Sequence, residues 1–180
     1  MSRFLYKFFF TLFGWKIEGE MPRVKKFIII VAPHTSNWDF MVGLAARSIL
    51  KFKARYLAKK ELFRFPFGVL FRMLGGVPVD RSKNSNLVDE VAALYHEHEE
   101  FILAVAPEGT RKQVPKWKTG FYFIALKAQV PIVMVSFDYK RKTVFINKPF
   151  YPNGNTEEDM KFILDFYQDK SGKYPKKLPS

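Results

Sequence analysis

Residues 26–31 read KFIIIV, and this short apolar run decides the fold. Its β-branched side chains suit a pleated sheet, and a continuous apolar run of this length is typical of a strand buried on both faces. The run ends just before Pro33, and residues 37–50 then carry a helical pattern. A buried strand followed closely by a helix is the opening of a βαβ unit.

Strand and helix patterns alternate along the rest of the chain. Strands are predicted over residues 55–58, 77–79, 101–106, 132–137 and 144–146, and helices over 61–74, 86–99, 120–129 and 157–166. This alternation predicts a single α/β domain with a mostly parallel central sheet and helices on both faces. A length of 180 residues suits one such domain.

The first 15 residues carry a different pattern. Arg3, Lys7 and Thr11 recur at every fourth position among Phe, Leu and Tyr, which draws one narrow polar stripe on an apolar helix. We expect an amphipathic helix that lies in a lipid interface. The alternative is a terminal helix packed on the core of the domain. The predicted organisation is therefore an interfacial helix over 1–15, a main domain over 16–170 and a basic tail over 171–180, which we expect to be frayed.

The amino-acid composition restricts the kinds of molecule and surface that the protein could bind. Thirty Lys and Arg against 17 Asp and Glu give a net charge of +13, which predicts an anionic partner surface, either lipid headgroups or nucleic acid. Most of the Phe residues fall in apolar runs, which argues against stacking on bases and hence against nucleic acid. No apolar run reaches the roughly 18 to 20 residues of a membrane-spanning helix. The absence of Cys excludes a thiol nucleophile and Cys-ligated zinc.

Polar motifs follow three of the predicted strands. The sequence HTSNWD occupies residues 34–39, VDR occupies 79–81 and PEGTR occupies 107–111. Because the carboxyl ends of parallel strands meet at one edge of a sheet, where open α/β folds bind ligands, we expect the three motifs to share one cleft.

His34 and Asp39 are the candidate catalytic pair. A carboxylate on one ring nitrogen fixes the tautomer of a histidine and raises the basicity of the other nitrogen, which can then deprotonate an attacking hydroxyl. The chain has neither a thiol nor a G-x-S-x-G motif, so direct attack by the acceptor hydroxyl is favoured over an acyl-enzyme. The alternative reading is a helix-capping Asp and a loop His that bind backbone groups.

Arg81 and Arg111 each follow a predicted strand end. Guanidinium groups bind phosphate through paired charge-assisted hydrogen bonds, so these two residues are candidates for a phosphate clamp. Gly109 would allow the backbone to approach a ligand closely, and Glu108 could anchor the loop or pair with an arginine. For each arginine the alternative is a solvated charge or a structural ion pair. His96 and His98 do not suggest a metal site, because they point apart on a helix and have no third ligand nearby.

The order of four blocks, HTSNWD, GVPVDR, PEGTR and VPIV, resembles that of the glycerophospholipid acyltransferases of the 1-acylglycerol-3-phosphate acyltransferase type. The resemblance covers residues 26–147 and identifies residues 16–170 as an acyltransferase domain. It implies that His34 is the base and Asp39 its partner. It also implies an acyl-ACP or acyl-CoA thioester as the donor, with no metal and no other cofactor.

The same resemblance implies how the acceptor is held. The phosphate of a lysophospholipid would be bound by Arg81, Glu108, Gly109, Thr110 and Arg111. The net charge and the amphipathic first helix predict a peripheral protein on an anionic membrane surface, which we expect to be at the cytoplasmic face. Lysophosphatidate, another lysophospholipid and an amino-acid lipid all stay open as acceptors, because Trp38 and Met134 depart from the family pattern. A non-catalytic module that binds anionic lipids is the alternative function.

Overall fold

The computed structural model describes residues 3–79 and 87–179. The helices of this part are α1 (Arg3–Leu12), α2 (Trp38–Leu50), a 3-10 helix (Lys60–Phe63), α3 (Gly68–Met73), α4 (Leu87–Glu97), α5 (Gly120–Ala128) and α6 (Thr156–Tyr167). The strands are β1 (Lys16–Glu18), β2 (Lys26–Val31), β3 (Ala54–Lys59), β4 (Gly76–Val79), β5 (Phe101–Val105), β6 (Ile132–Asp138) and β7 (Thr143–Ile146).

The strands form one sheet in the order β1-β7-β6-β2-β5-β3-β4. The KFIIIV strand β2 lies near its centre and pairs in parallel with β5 on one side and with β6 on the other. Strands β3 and β4 continue the parallel part, whereas β7 runs antiparallel to β6 and pairs with β1. The predicted mostly parallel sheet is therefore confirmed.

Both faces of the sheet are covered by helices, as predicted. Because successive side chains of a strand point to opposite faces, β2 contributes to two cores. Ile28 and Ile30 pack beneath α4, α5 and α6, and Phe27 and Ile29 pack beneath α1 and α2. This double burial explains why β2 is apolar at every position after Lys26.

The N-terminal helix is present as α1, and part of it packs on the core of the domain, which was the alternative considered; its place in a lipid interface stays a prediction. Phe10 is buried against the core beneath α2, whereas Phe4 is 79% exposed and Phe8 is also exposed. No helix within residues 3–79 and 87–179 has both the length and the apolar character needed to cross a bilayer.

Two elements differ from the predictions. The helix predicted over 61–74 is divided into the 3-10 helix and α3, because Pro66 lacks an N–H group and disfavours a helical conformation at Phe65. Strand β1 was not predicted, since three residues give too short a pattern. It pairs in parallel with β7, which itself runs antiparallel to β6.

The expectation of a frayed tail is wrong for residues 171–179. Leu178 packs against the core beneath α4 to α6, and the side chain of Lys176 is 4% exposed. Backbone hydrogen bonds join this segment to both Thr35 and Tyr139. We call residues 171–179 the strap, because they cross the edge of the sheet at which the catalytic candidates lie.

Candidate active site

The strand order brings three loops together at the carboxyl edge of the sheet. His34 follows β2, Glu108 follows β5 and Tyr139 follows β6. Since β2 lies between β5 and β6, the loop that carries His34 is flanked by the other two loops. The first and third sequence motifs therefore meet, as the sequence predicts.

His34 and Asp39 form a hydrogen-bonded pair. Nδ1 of His34 lies 2.8 Å from Oδ2 of Asp39, a residue of the first turn of α2. The same carboxylate oxygen accepts the backbone N–H groups of Thr35 and Ser36 at 2.9 and 3.0 Å. Asp39 is buried, whereas the His34 side chain is 29% exposed. Nε2 is thus the ring nitrogen left to act on a substrate, and it carries the lone pair when Nδ1 is protonated.

Tyr139 completes the surroundings of Asp39, and sequence reasoning did not identify it. Its hydroxyl donates to Oδ1 of Asp39 at 2.7 Å. Burial raises the pKa of Asp39, but the hydrogen bonds from His34, Ser36, Tyr139 and Thr35 outweigh it and bring the pKa below its usual value. Burial and the neighbouring carboxylate raise the pKa of Tyr139. Asp39 is therefore held ionised and Tyr139 protonated. Tyr139 follows a strand end, so the argument from the sheet edge could have found it.

Glu108 anchors the His34 loop from the β5 side. Its Oε2 accepts the backbone N–H of His34 at 2.8 Å and lies 3.0 Å from Nζ of Lys176 in the strap. Burial raises the pKa of Glu108 more than the contacts with Lys176 and the His34 amide lower it. Of the two roles considered for Glu108, the geometry corresponds to anchoring the loop. Lys176 had no local sequence signal, because it is one of several lysines in a polar segment.

Three of the remaining candidates for phosphate binding, Gly109, Thr110 and Arg111, lie at the mouth of the site. The exposed guanidinium of Arg111 donates to the side-chain oxygen of Asn37. Gly109 adopts a φ of +65°, which glycine reaches without strain. The carbonyl of Thr110 accepts from Lys176 at 3.3 Å. Arg81 lies outside the described residues.

A cavity of about 980 Å³ extends from the His34–Asp39 pair into the molecule. His34, Thr110 and Arg111 line its polar mouth. Its inner wall is mostly apolar and runs between α2 and the sheet, where it includes Ile29, Val31, Gly43, Leu44, Ala46, Leu50, Phe52, Val135 and Phe137. This volume and apolar wall can accommodate an apolar ligand with its polar end beside His34. The residues that the structure describes contain no group of three His, Asp or Glu side chains that could hold a metal ion.

Comparison with known proteins identifies relatives of this chain. The family model described as Acyltransferase matches residues 15–138. A 1-acyl-sn-glycerol-3-phosphate acyltransferase of Haemophilus influenzae is 29% identical over 77% of this chain and 60% of its own length. The human 1-acyl-sn-glycerol-3-phosphate acyltransferase beta is 29% identical over 83% of this chain and 55% of its own.

A solved structure extends the likeness to the fold. The 1-acyl-sn-glycerophosphate (LPA) acyltransferase PlsC from Thermotoga maritima matches with a TM-score of 0.62 and 26% identity, over 91% of this chain and 74% of that one. The chain spans about 60% of the length of the bacterial relative and somewhat less of the human one. The family model covers well over half of the chain, and its residues include the His34–Asp39 pair and the Glu108 loop. The chain belongs to the acyltransferase family.

Proposed function

We propose that this protein transfers a fatty acyl group from a thioester to the hydroxyl of a lysophospholipid, with 1-acylglycerol-3-phosphate as the first candidate acceptor. The observation that carries the proposal is the His34–Asp39 pair at the mouth of an apolar cavity. The names of the relatives, which are 1-acyl-sn-glycerol-3-phosphate acyltransferases, support the choice of acceptor.

The proposed reaction begins with the acceptor hydroxyl. Nε2 of His34 takes its proton as the oxygen attacks the thioester carbonyl, and Asp39 stabilises the imidazolium that forms. The tetrahedral intermediate then collapses, the carbon–sulfur bond breaks, and His34 returns the proton to the departing thiolate. An ester and a free thiol result, and the protein is never acylated.

The cavity beneath α2 is proposed to hold an acyl chain during the transfer. Its apolar wall offers burial to methylene groups, each of which contributes about 0.8 kcal/mol. Its mouth opens beside His34, so a chain in the cavity would present its carbonyl to the catalytic pair. The donor is proposed to be an acyl-ACP or acyl-CoA thioester.

The acceptor phosphate is proposed to bind at the polar mouth, between Arg111 and the backbone of Gly109 and Thr110. Arg111 is exposed and bonded to a neutral amide oxygen, so a phosphate could replace Asn37 as its partner. Arg81, which follows β4 in the sequence, is proposed to complete the clamp. Glu108 contributes indirectly, because its buried carboxylate fixes the backbone of His34.

The α1–α3 face, residues 3–13, 38–50 and 60–73, is proposed to rest on an anionic membrane at its cytoplasmic side. Its helices are joined by hydrogen bonds from Arg3 to the Ile49 carbonyl and from Arg47 to the Leu74 carbonyl. It exposes Phe4, Phe8, Phe9, Leu12, Phe13, Trp38, Phe40, Met41, Leu62, Phe65, Phe67, Val69, Leu70 and Met73. Exposed cations on or beside it are Arg3, Lys7, Lys51, Lys53, Lys60, Arg64 and Arg72. This combination is typical of an interfacial surface.

One experiment tests the proposed reaction directly. The purified protein is incubated with a panel of lysolipids and acyl thioesters in anionic vesicles, and products are identified by mass spectrometry. We expect a diacyl product with a lysophospholipid, and we expect His34→Ala to lower turnover by about 10² to 10⁴. His96→Ala, which replaces an exposed histidine on α4, is the matched control. Near-normal turnover in His34→Ala, or an acyl adduct on the wild-type chain, would contradict the mechanism.

A further inference from the structure

The strap contacts the active site at several points. The Ser171 carbonyl accepts the Tyr139 N–H at 2.9 Å, and the Tyr174 N–H donates to the Thr35 hydroxyl at 3.3 Å. The Gln113 side chain exchanges two hydrogen bonds with the backbone of Lys177, at 2.7 and 3.0 Å. The strap is therefore fastened to the loops that follow β2, β5 and β6.

Lys176 makes the most buried of these contacts. Its Nζ lies 3.0 Å from Oε2 of Glu108, 3.2 Å from the carbonyl of His34 and 3.3 Å from the carbonyl of Thr110. The side chains of Lys176 and Glu108 are 4% and 1% exposed. An ammonium has three N–H donors, and here three acceptors on two different loops surround it.

We propose that Lys176 is a positioning residue for acyl transfer, which locks the His34 loop to the Glu108–Arg111 loop and keeps Glu108 as a carboxylate. The proposal rests on the proposed function. Glu108 can accept the His34 N–H strongly only while it is charged, and a buried charge requires a partner. Lys176 supplies that partner and also binds the carbonyl of His34. The backbone of His34 is thus held at both its N–H and its carbonyl.

Removal of Lys176 would leave Glu108 buried without its cation. Within residues 3–79 and 87–179, the charged and titratable groups that face Glu108 are Lys176 from the strap, His34 from the loop after β2 and Tyr167 from α6. Burial already raises the pKa of Glu108, and without Lys176 it would rise further. Glu108 would then take up a proton at a higher pH, and its bond to the His34 N–H would weaken.

The test compares Lys176→Met, which keeps the apolar stem, with Lys177→Ala, which removes an exposed neighbouring cation. We expect Lys176→Met to lower kcat about tenfold or more with little change in either KM, since displacement of a catalytic group by about 1 Å can cost a hundredfold. We also expect the acid limb of its pH–rate profile to move to higher pH. Lys177→Ala should match the wild type in both respects.

A double variant separates positioning from folding. Glu108→Gln keeps an oxygen for the His34 N–H but removes the buried charge, so adding it to Lys176→Met should restore part of the lost kcat. A lower Tm with unchanged kcat in Lys176→Met, or no recovery in the double variant, would overturn the proposal.

Hydrogen exchange at the His34 amide provides a measurement that does not depend on activity. We expect Lys176→Met to accelerate exchange at this amide at least about tenfold, because the Glu108 bond is weakened, and Lys177→Ala to leave it unchanged. Equal exchange in Lys176→Met and wild type would refute the lock between the loops. Absence of acyl transfer by the wild-type protein would instead refute the proposed function, and the exchange result would still decide the role of Lys176.

Discussion

Asp39 is the most heavily bonded side chain of the site. His34 and the amides of Thr35 and Ser36 occupy Oδ2, and Tyr139 occupies Oδ1. An ionised carboxylate with this many donors cannot rotate without losing several of them, so it fixes the imidazole in one plane. The carboxylate therefore orients His34 before any substrate binds, and among the described residues Tyr139 is the side chain that holds its second oxygen.

Tyr139→Phe should remove one charge-assisted hydrogen bond from Asp39, worth about 1.5 to 3 kcal/mol, while the ring stays packed against Trp15. The bonds to Asp39 lower its pKa, so their stabilisation is full above the ordinary pKa of Asp and is lost as pH falls through the lowered value. We expect urea unfolding to show the loss at pH 7 and a smaller loss below about pH 4.

Tyr151→Phe is the control for that experiment, because the Tyr151 side chain is 62% exposed. We also expect kcat of Tyr139→Phe to fall by roughly tenfold, which corresponds to about 1.4 kcal/mol. Equal stability of Tyr139→Phe and wild type at both pH values would show that the hydroxyl contributes nothing to Asp39.

Arg111→Ala should raise the apparent KM for the phosphate-bearing acceptor. A hydrogen bond to a charged group contributes about 1.5 to 3 kcal/mol, which corresponds to a rise of roughly 10- to 100-fold. Steady-state kinetics with the acceptor varied measure it, and Lys112→Ala is the control because Lys112 is an exposed neighbour. An unchanged KM in Arg111→Ala would exclude this residue from the phosphate site.

At the scale of single residues, the sequence predicted the location of a site residue where that residue follows a strand. His34, Glu108 and Arg111 could be located because the carboxyl ends of parallel strands share an edge. Lys176 could not, since its partners come from loops more than 60 residues away and only the folded chain brings them together. The sequence pattern identified Glu108 as a site residue. It could not predict that the Glu108 side chain is buried, because this burial depends on how the strap packs.

Helix α2 links the His34–Asp39 pair to the cavity. Asp39 lies in its first turn, and Gly43 lies about one turn further along, on the cavity wall. A Cβ atom at Gly43 would lie 3.4 Å from the ring of Phe137, so α2 approaches the sheet closely here and a larger side chain would press on that ring and narrow the cavity. The same helix is joined through Arg47 to the carbonyls of Ala54 and Leu74, which ties it to β3 and α3.

Gly43→Leu should shift the enzyme towards shorter acyl chains, because the new side chain fills part of the cavity. If about four methylenes lose their burial, long-chain binding weakens by about 3 kcal/mol, roughly a hundredfold. The ratio of kcat/KM for a long and a short acyl thioester measures the effect. Met41→Leu, at an exposed position of the same helix, is the control. An unchanged ratio would mean that the chain lies elsewhere.

Most elements were predicted to within two residues of their observed ends, but one interrupted helix and one three-residue strand were not. Strand β2 occupies the residues expected from KFIIIV, because burial on both faces leaves a continuous apolar run. The 61–74 segment was predicted as one helix because its aromatic spacing is helical, yet Pro66 divides it. Strand β1 forms because it pairs with β7, and a segment of three residues is too short for its sequence pattern to predict such pairing.

The two helical layers of the molecule have different surfaces. The α1–α3 face exposes many large apolar side chains, whereas the α4–α6 layer, among the described residues, exposes Phe123 and Phe162. Phe65 is 94% exposed and lies with Phe67 between the 3-10 helix and α3. A soluble surface gains nothing from such residues, so their concentration on one layer supports its proposed contact with lipid.

Phe65→Ser combined with Phe67→Ser should weaken binding to anionic vesicles by at least about tenfold, since burying a Phe side chain contributes roughly 1.5 to 3 kcal/mol. Phe123→Ser with Phe162→Ser makes the same chemical change on the α4–α6 layer and should leave binding unchanged. Vesicle flotation over a range of vesicle concentrations measures both. Equal loss in the two double variants would contradict the assignment of the α1–α3 face.

The position of the cavity beneath that face has a kinetic consequence. One side of its inner wall is formed by α2. The outer side of this helix belongs to the surface proposed to touch the bilayer. A lipid acceptor would then reach His34 by lateral diffusion, without passing through bulk water. Turnover would depend on the surface density of the acceptor in the bilayer. Adding inert lipid to the same vesicles would therefore slow the enzyme even when the bulk concentration of the acceptor is constant.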